Sequence, residues 1–83
     1  MRILYFAWVK EKIGRAEEEV RIPPGVTDVA GLIRYLRTRT LGHAAAFSDL
    51  SVIRAAINQE YVDFNEAIHP TDEAAFFPPV TGG

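Results

Sequence analysis

The chain has 83 residues, 48% of them hydrophobic and 24% charged, which fits one globular domain. It contains no cysteine, which excludes disulfides, thiolate zinc sites and a cysteine nucleophile within the chain. Its net charge of -2 offers no basic excess to a phosphate backbone, so nucleic acid is not an expected partner. No segment is long enough to span a membrane, and the lack of cysteine agrees with a reducing cytoplasm, the expected location.

The chain begins with a short apolar segment, residues 3–9, whose aromatic and branched side chains predict a strand. No small-residue cleavage site follows it, which argues against a signal peptide. Both faces of this strand are apolar, as is typical of a central strand covered on both sides. After a turn at Gly14, residues 16–22 predict a second strand that forms a hairpin with the first. The three glutamates at 17–19 are expected on its solvated edge.

The main helix is predicted after a proline-glycine break, with Thr27 as N-cap. Apolar residues recur on one helical face, namely Val29, Leu32, Ile33 and Leu36. Three arginines stand near the C-terminal end of the helix, where cations are favoured, and are expected to be solvated: Arg34, Arg37 and Arg39. Gly42 is expected to end the helix, and residues 43–50 fit either a short helix or a loop.

The remainder of the chain predicts a third strand over residues 51–58, a turn at 58–60 and a brief return strand over 61–64. After another turn, residues 73–77 predict the last strand, which two prolines interrupt. One main helix then covers one face of a small mixed sheet, an α+β arrangement. By analogy, this order of elements is that of a ubiquitin-like β-grasp.

The sequence carries no recognisable catalytic or metal-binding motif. His43 and His69 are far apart, lack metal-ligand spacing, and are expected in surface or capping roles. No glycine pattern fits a dinucleotide loop or a P-loop, and no serine stands in a nucleophile elbow. We therefore expect no metal site, no bound cofactor and no enzymatic activity of the chain on its own.

The last two residues, Gly82 and Gly83, point to chemistry at the C-terminus. A diglycine can thread a slot too narrow for any side chain. Its α-carboxyl is ionised at neutral pH and is a poor electrophile, so acyl chemistry requires prior activation, for instance as an acyl-adenylate. Because nothing in the sequence indicates ATP binding, an activating partner is implied. The activated carbonyl can then accept a nucleophile such as sulfide or a lysine amine.

A stiff segment precedes the diglycine. Pro78 and Pro79 fix φ and push the preceding residue towards extended geometry. We expect a single domain over residues 1–83 whose flexible tail, about residues 78–83, leaves the sheet in a defined direction and spans roughly 20 Å when extended. Such an end is suited to delivering its carboxylate into a pocket of another protein.

The C-terminal segment DEAAFFPPVTGG resembles the signature of the MoaD family, the small sulfur-carrier subunit of molybdopterin synthase. Other segments are similar to the family's first strand, helix entry and third strand: ILYFAWVKEKIG, IPPGVTDVAGLIRYL and IRAAINQEYVDF. Lys10 stands where an arginine before glutamate is common, and IHPTDEA replaces a more usual Asp-Gly-Asp-Glu turn. Neither departure touches the terminal chemistry.

The resemblance implies a β-grasp fold and a defined chemistry at Gly83. An E1-like enzyme similar to MoeB would adenylate Gly83 with ATP and magnesium, and a sulfur donor would convert its carboxylate into a thiocarboxylate. The tail, including Gly82, would insert into the large subunit, MoaE, where the sulfur attacks cyclic pyranopterin monophosphate. Two rounds would build the dithiolene of molybdopterin, with this chain as a non-catalytic sulfur donor.

The residues expected to contact the partner surround the base of the tail: Phe77, Pro78, Pro79, Val80 and Thr81. Phe76 and Phe77 alternate along the last strand, so one of them is expected in the core and the other at the surface. We assign Phe77 to the partner-facing side, where an exposed apolar side chain suits an interface.

Three other functions fit parts of the sequence. A ThiS-like sulfur carrier for thiamin thiazole synthesis shares the fold, the diglycine and the thiocarboxylate, but the FFPP segment favours MoaD. A ubiquitin-like modifier would join Gly83 to lysines and leave isopeptide-linked adducts. A plain interaction domain would keep its function after deletion of Gly82 and Gly83.

Overall fold

The computed structural model describes residues 1–79. The elements in chain order are β1 (Arg2–Tyr5), α1 (Ala7–Ile13), β2 (Glu17–Glu19), α2 (Val29–Leu36), α3 (Leu41–Ala46), β3 (Arg54–Ile57), β4 (Glu60–Val62) and β5 (Glu73–Phe77). A single 3-10 turn, Leu50–Val52, precedes β3. Among these residues, no helix is both long enough and apolar enough to cross a bilayer.

The five strands form one mixed sheet in the order β2-β1-β5-β3-β4. The central pair, β1 and β5, is parallel, and all other neighbours are antiparallel. Helix α2 lies between the hairpin of β1 and β2 and the later strands along the chain. The predicted α+β class, with a main helix on one face of a mixed β-grasp sheet, is confirmed.

One face of the sheet and the helices enclose the core. The apolar stripe predicted for α2 is fully buried, with 0% exposure at Val29, Leu32, Ile33 and Leu36. It belongs to the same buried cluster as alternate side chains of the three central strands: Ile3, Tyr5, Ala55, Ile57, Ala74 and Phe76. Burial of these side chains supplies the main stabilisation of the fold, about 1.5–3 kcal/mol for each large one.

The first strand is shorter than predicted. It ends at Tyr5, and residues 7–13 form helix α1 instead of continuing the strand and turning. The change occurs at Ala7, whose positive φ of 53° turns the chain sharply. Helix α1 buries Val9 and leaves Lys10 exposed to solvent, so it is amphipathic. The segment is too short for this helical pattern to be recognised in the sequence.

Both predicted boundaries of the main helix were wrong. Asp28, not Thr27, is the N-cap of α2, and its carboxylate accepts a 2.7 Å hydrogen bond from the amide of Gly31. Gly42 does not end this helix, which stops at Leu36, but lies inside α3. The ambiguous segment after Gly42 therefore belongs to a short helix, which packs against α1.

The later strands follow the prediction with narrower limits. The predicted third strand began too early, because its first residues form the 3-10 turn. Asn58 and Gln59 connect β3 to β4 with positive φ values of 51° and 70°, the backbone of a tight two-residue hairpin. The last strand, β5, has the limits that were predicted.

Candidate functional site

The predicted site begins at the end of β5. Phe76 is 0% exposed and lies in the core, whereas Phe77 points to the opposite face and is half-buried. The predicted division between these two side chains is therefore confirmed. Pro78 and Pro79 follow directly and are also half-buried, so the chain leaves the sheet through two residues that lack an amide donor.

The reactive end of the tail is not part of the described structure. Val80 and Thr81, predicted to contact a partner, and Gly82 and Gly83, predicted to carry the chemistry, lie outside the described residues. The predicted flexibility of the tail stays a prediction as well.

Strand β5 is a firm base for the tail. It pairs with β1 on one side, where Phe76 is in register with Tyr5. On its other side it pairs with β3, where Phe77 is in register with Arg54. Because it is hydrogen-bonded along both edges, β5 holds the start of the tail in a fixed position relative to the whole domain.

The side of the sheet opposite α2 carries an apolar surface, which we call the outer face. A shallow depression on it is lined mainly by Leu4, Phe6, Ala56, Tyr61, Ala75 and Phe77. The rings of Tyr61 and Phe77 lie 5.2 Å apart between centroids, and Tyr61 is 76% exposed. Clustered aromatic side chains that stay accessible are typical of a protein interface.

Phe6 extends the outer face past the end of β1. Its amide donates a 3.1 Å hydrogen bond to the carbonyl oxygen of Phe76, which continues the pairing of β1 with β5 by one residue. The ring of Phe6 is 48% exposed. The turn at Ala7 then starts α1, so Phe6 stays beside Phe77 at the base of the tail.

A second feature, which the sequence did not lead us to predict, is a buried polar cluster around Glu18. Glu18 is 8% exposed, so the expectation of a wholly solvated glutamate edge was wrong at this position. Its Oε2 accepts 2.6 Å hydrogen bonds from the hydroxyl of Tyr5 and from Nε2 of His43. Its Oε1 accepts a 3.2 Å hydrogen bond from Arg39 and forms an ion pair with Arg15.

His43 and Arg39 also differ from their predictions. His43, which was expected in a surface or capping role, is 3% exposed and so is not at the surface, and its Nδ1 is 2.7 Å from the hydroxyl of Thr40, the N-cap of α3. Arg39 is held against Glu18 and is not simply a solvated charge. In contrast, Arg34, Arg37 and His69 are exposed, as predicted.

Ionisation within the cluster follows from these contacts. Burial opposes the charged form of Glu18, but the hydrogen bonds from Tyr5 and His43 and the nearby positive charge outweigh it and keep the pKa of Glu18 below its usual range. Burial, followed by the hydrogen bond to Glu18, raises the pKa of Tyr5. No buried side-chain polar atom in residues 1–79 lacks a partner, so the cluster is self-satisfied and joins β2 to α3. It has the character of a structural element rather than of an active site.

Alternation along β2 was the signal for this cluster. Glu18 lies two residues before Val20, which is 2% exposed, so the two side chains share the inward face.

No arrangement of three or more His, Asp or Glu side chains suited to a metal occurs in the described part of the chain.

Comparison with known proteins agrees with this architecture. Residues 3–83 match the ThiS family. This chain belongs to the ThiS family. A molybdopterin synthase sulfur carrier subunit from Escherichia coli is 36% identical over 83 residues, covering 100% of this chain and 99% of that protein. One from Dictyostelium discoideum is 38% identical over 84 residues, covering 99% and 94%.

A solved structure that is similar to this chain in both sequence and fold supports the β-grasp assignment. The structure described as molybdopterin converting factor subunit 1, from Pyrococcus furiosus, superimposes with a TM-score of 0.77 and 30% sequence identity. The alignment covers 95% of each chain. Together with the full-length relatives, this match confirms the MoaD-type resemblance and the β-grasp fold within the ThiS family.

Proposed function

We propose that this chain is the sulfur carrier of a molybdopterin synthase and that Gly83 carries the sulfur as a thiocarboxylate. The observation that carries the proposal is its full-length similarity to molybdopterin synthase sulfur carrier subunits. In this chain, the aligned sequence ends in a diglycine that a carrier of this kind requires.

The described structure supports the delivery step. Strand β5 is fixed along both edges, and Pro78 and Pro79, whose φ angles are restricted, follow it directly. The six residues 78–83 reach roughly 20 Å when extended, far enough for Gly83 to enter a pocket in a second protein. Fixing the base of such an arm reduces the conformational freedom lost when its end reacts.

Activation requires another enzyme. The Gly83 carboxylate attacks the α-phosphorus of ATP bound with magnesium on an E1-like, MoeB-like enzyme, and pyrophosphate leaves. Hydrosulfide supplied by a sulfur donor then attacks the acyl carbon. AMP is displaced and a proton is lost, so that Gly83 ends in a thiocarboxylate. The ATP and the magnesium belong to the activating enzyme, and this chain acts in the cytoplasm as a donor rather than as a catalyst.

The large, MoaE-like subunit is the occupant we propose for the outer face. The tail and the outer face are continuous, because Phe77 lines the outer face and Pro78, the first residue of the tail, follows it directly. When Gly82 and Gly83 enter the large subunit, the surface at the base of the tail is brought against the same protein. Phe77, Pro78 and Pro79 would then contact the large subunit, and Val80 and Thr81, which lie outside the described residues, would continue that contact.

Extending the chain by one alanine after Gly83 tests the proposal. The carboxylate must be terminal and must reach a fixed depth, so the extended variant should fold normally but transfer no sulfur to the pterin precursor in the reconstituted synthase. Its intact mass before and after the reaction shows whether a protease has removed the added residue. Full activity of an untrimmed variant would refute the proposal.

The same reconstitution separates the other candidates. Activity with a thiazole-forming enzyme, and none with the large subunit of molybdopterin synthase, would indicate a thiamin carrier. Isopeptide-linked adducts on lysines would indicate a modifier. Unchanged function after deletion of Gly82 and Gly83 would indicate a plain interaction domain.

A further inference from the structure

Arg54 stands at the side of the outer face from which the tail departs. It is the cross-strand neighbour of Phe77, the last residue of β5. It is exposed, and it shares with Ala56 the side of β3 that faces away from the core, because the two residues are two positions apart. Arg54 therefore lies beside the residue from which the tail continues.

The guanidinium of Arg54 is held in place by the backbone. Its Nη1 donates hydrogen bonds of 3.1 Å to the carbonyl oxygen of Ser51 and 3.0 Å to that of Ile53. Ser51 lies within the 3-10 turn that leads into β3, and Ile53 follows that turn directly. An arginine fixed in this way loses less side-chain freedom on binding than one that is free in solvent.

The other edge of the same guanidinium has no partner among residues 1–79. Within residues 1–79, Nε and Nη2 of Arg54 have no hydrogen-bond partner, and no carboxylate forms an ion pair with the residue. Arg54 and Asp63 line a second shallow recess together with Ile53 and Val62, but among the described residues they form no ion pair. Nε–H and Nη2–H are the parallel donors of an arginine, the pair that accommodates both oxygens of one carboxylate.

From this geometry we infer that Arg54 is a specificity-determining residue for docking, and that its Nε and Nη2 donors bind a carboxylate of the large subunit beside the entrance for the tail. The inference rests on the proposed function, since it assumes that the outer face meets that subunit. The apolar outer face supplies contact area but little orientation, whereas a fixed two-donor contact next to Phe77 sets the direction of approach.

The matched control is Arg34, which is also exposed but lies on α2, on the other side of the sheet. We would measure the affinity of the large subunit from the same organism for the wild type, Arg54→Lys, Arg54→Glu and Arg34→Glu. We expect Arg54→Glu to weaken binding at least about tenfold, and Arg54→Lys at least about threefold, because lysine keeps the charge but lacks the paired donors. Arg34→Glu should stay within about twofold of the wild type.

Direct observation of the Arg54 Nε–H signal by NMR completes the test. We expect this signal to shift and to become protected from exchange when the large subunit is added. Arg54→Glu binding like the wild type, or Arg54→Lys restoring full affinity, would overturn the inference while leaving the proposed function intact. If the wild type itself fails to bind the large subunit, the proposed function fails first, and the inference fails with it.

Discussion

The hydroxyl of Tyr5 donates a 2.6 Å hydrogen bond to the carboxylate of Glu18, from the core face of β1 to the edge strand β2. Removing this carboxylate leaves the buried hydroxyl and the ring of His43 without their acceptor. We predict that Glu18→Ala lowers the free energy of unfolding by about 2–3 kcal/mol, below the usual loss for a fully buried pair because Arg39 and Arg15 keep part of their hydration.

Glu19→Ala is the matched control for this substitution. Glu19 is next to Glu18, but its side chain is 79% exposed, and within residues 1–79 its only ion pair is with the N-terminal amine. Its loss should cost less than about 0.5 kcal/mol. Urea unfolding of both variants measures the difference, and equal losses would show that the buried cluster contributes nothing particular.

The pH dependence of stability follows from the low pKa of Glu18 in the folded state. Because the folded pKa lies below the ordinary value of 4.5, Glu18 stabilises the protein fully above that value. The contribution is lost as the pH falls from 4.5 through the folded pKa. Urea unfolding between neutral and acid pH should therefore show a decline that is shallower in Glu18→Gln.

Some acid sensitivity should remain in that variant. Hydrogen bonds from Ser51 lower the pKa of Asp49, and those from Asn58 and the backbone of His69 lower the pKa of Asp72. The stabilisation that each of these two carboxylates contributes is also lost as the pH falls. Parallel profiles for the wild type and Glu18→Gln would contradict the assignment of Glu18.

Gly42 lies where α3 approaches the end of α1 closely. A Cβ at this position would lie 2.5 Å from the carbonyl oxygen of Lys12 at the end of α1. Alanine in a helix normally stabilises by about 0.8–1 kcal/mol relative to glycine. Here we predict the opposite sign, a loss of about 1–3 kcal/mol for Gly42→Ala in urea unfolding, because α1 and α3 must separate. A gain in stability would show that the two helices adjust freely.

Phe76 and Phe77 should separate stability from binding. Phe76 is fully buried and packs edge-to-face on Phe47 with ring centroids 5.1 Å apart, so Phe76→Ala should cost about 3–5 kcal/mol in unfolding experiments. Phe77→Ala should cost much less stability but weaken binding to the large subunit at least about tenfold. Titration calorimetry on the folded Phe77 variant provides the affinity, and wild-type affinity would remove Phe77 from the interface.

The main helix and the last strand were predictable because their patterns are long or regular. The stripe on α2 repeats over two turns, and β5 alternates cleanly up to the two prolines. The prediction for residues 3–9 was wrong because a short apolar run is typical of a strand. The positive φ at Ala7 ends the strand and starts α1, and the periodicity of the sequence does not indicate such a turn.

The polar part of the structure was harder to predict. Glu18 and His43 are 25 positions apart, and their pairing depends on how the packing of α3 against α1 places His43 beside β2. Gly42 was predicted to end a helix because glycine is common at that position. Its steric role against the carbonyl oxygen of Lys12, which is far away in the sequence, is visible only in the folded structure. The proposed role of Gly82 and Gly83 rests on composition and resemblance and stays a prediction, because these residues lie outside the described part of the chain.

The most direct test of the central claim is the intact mass of the chain after incubation with an E1-like activating enzyme, ATP, magnesium and a sulfur source. We predict a mass increase equal to the replacement of one oxygen by sulfur, with fragmentation placing the change at Gly83. An unchanged mass, under conditions where the same enzyme modifies its own known carrier, would contradict the assignment of this chain as a sulfur carrier.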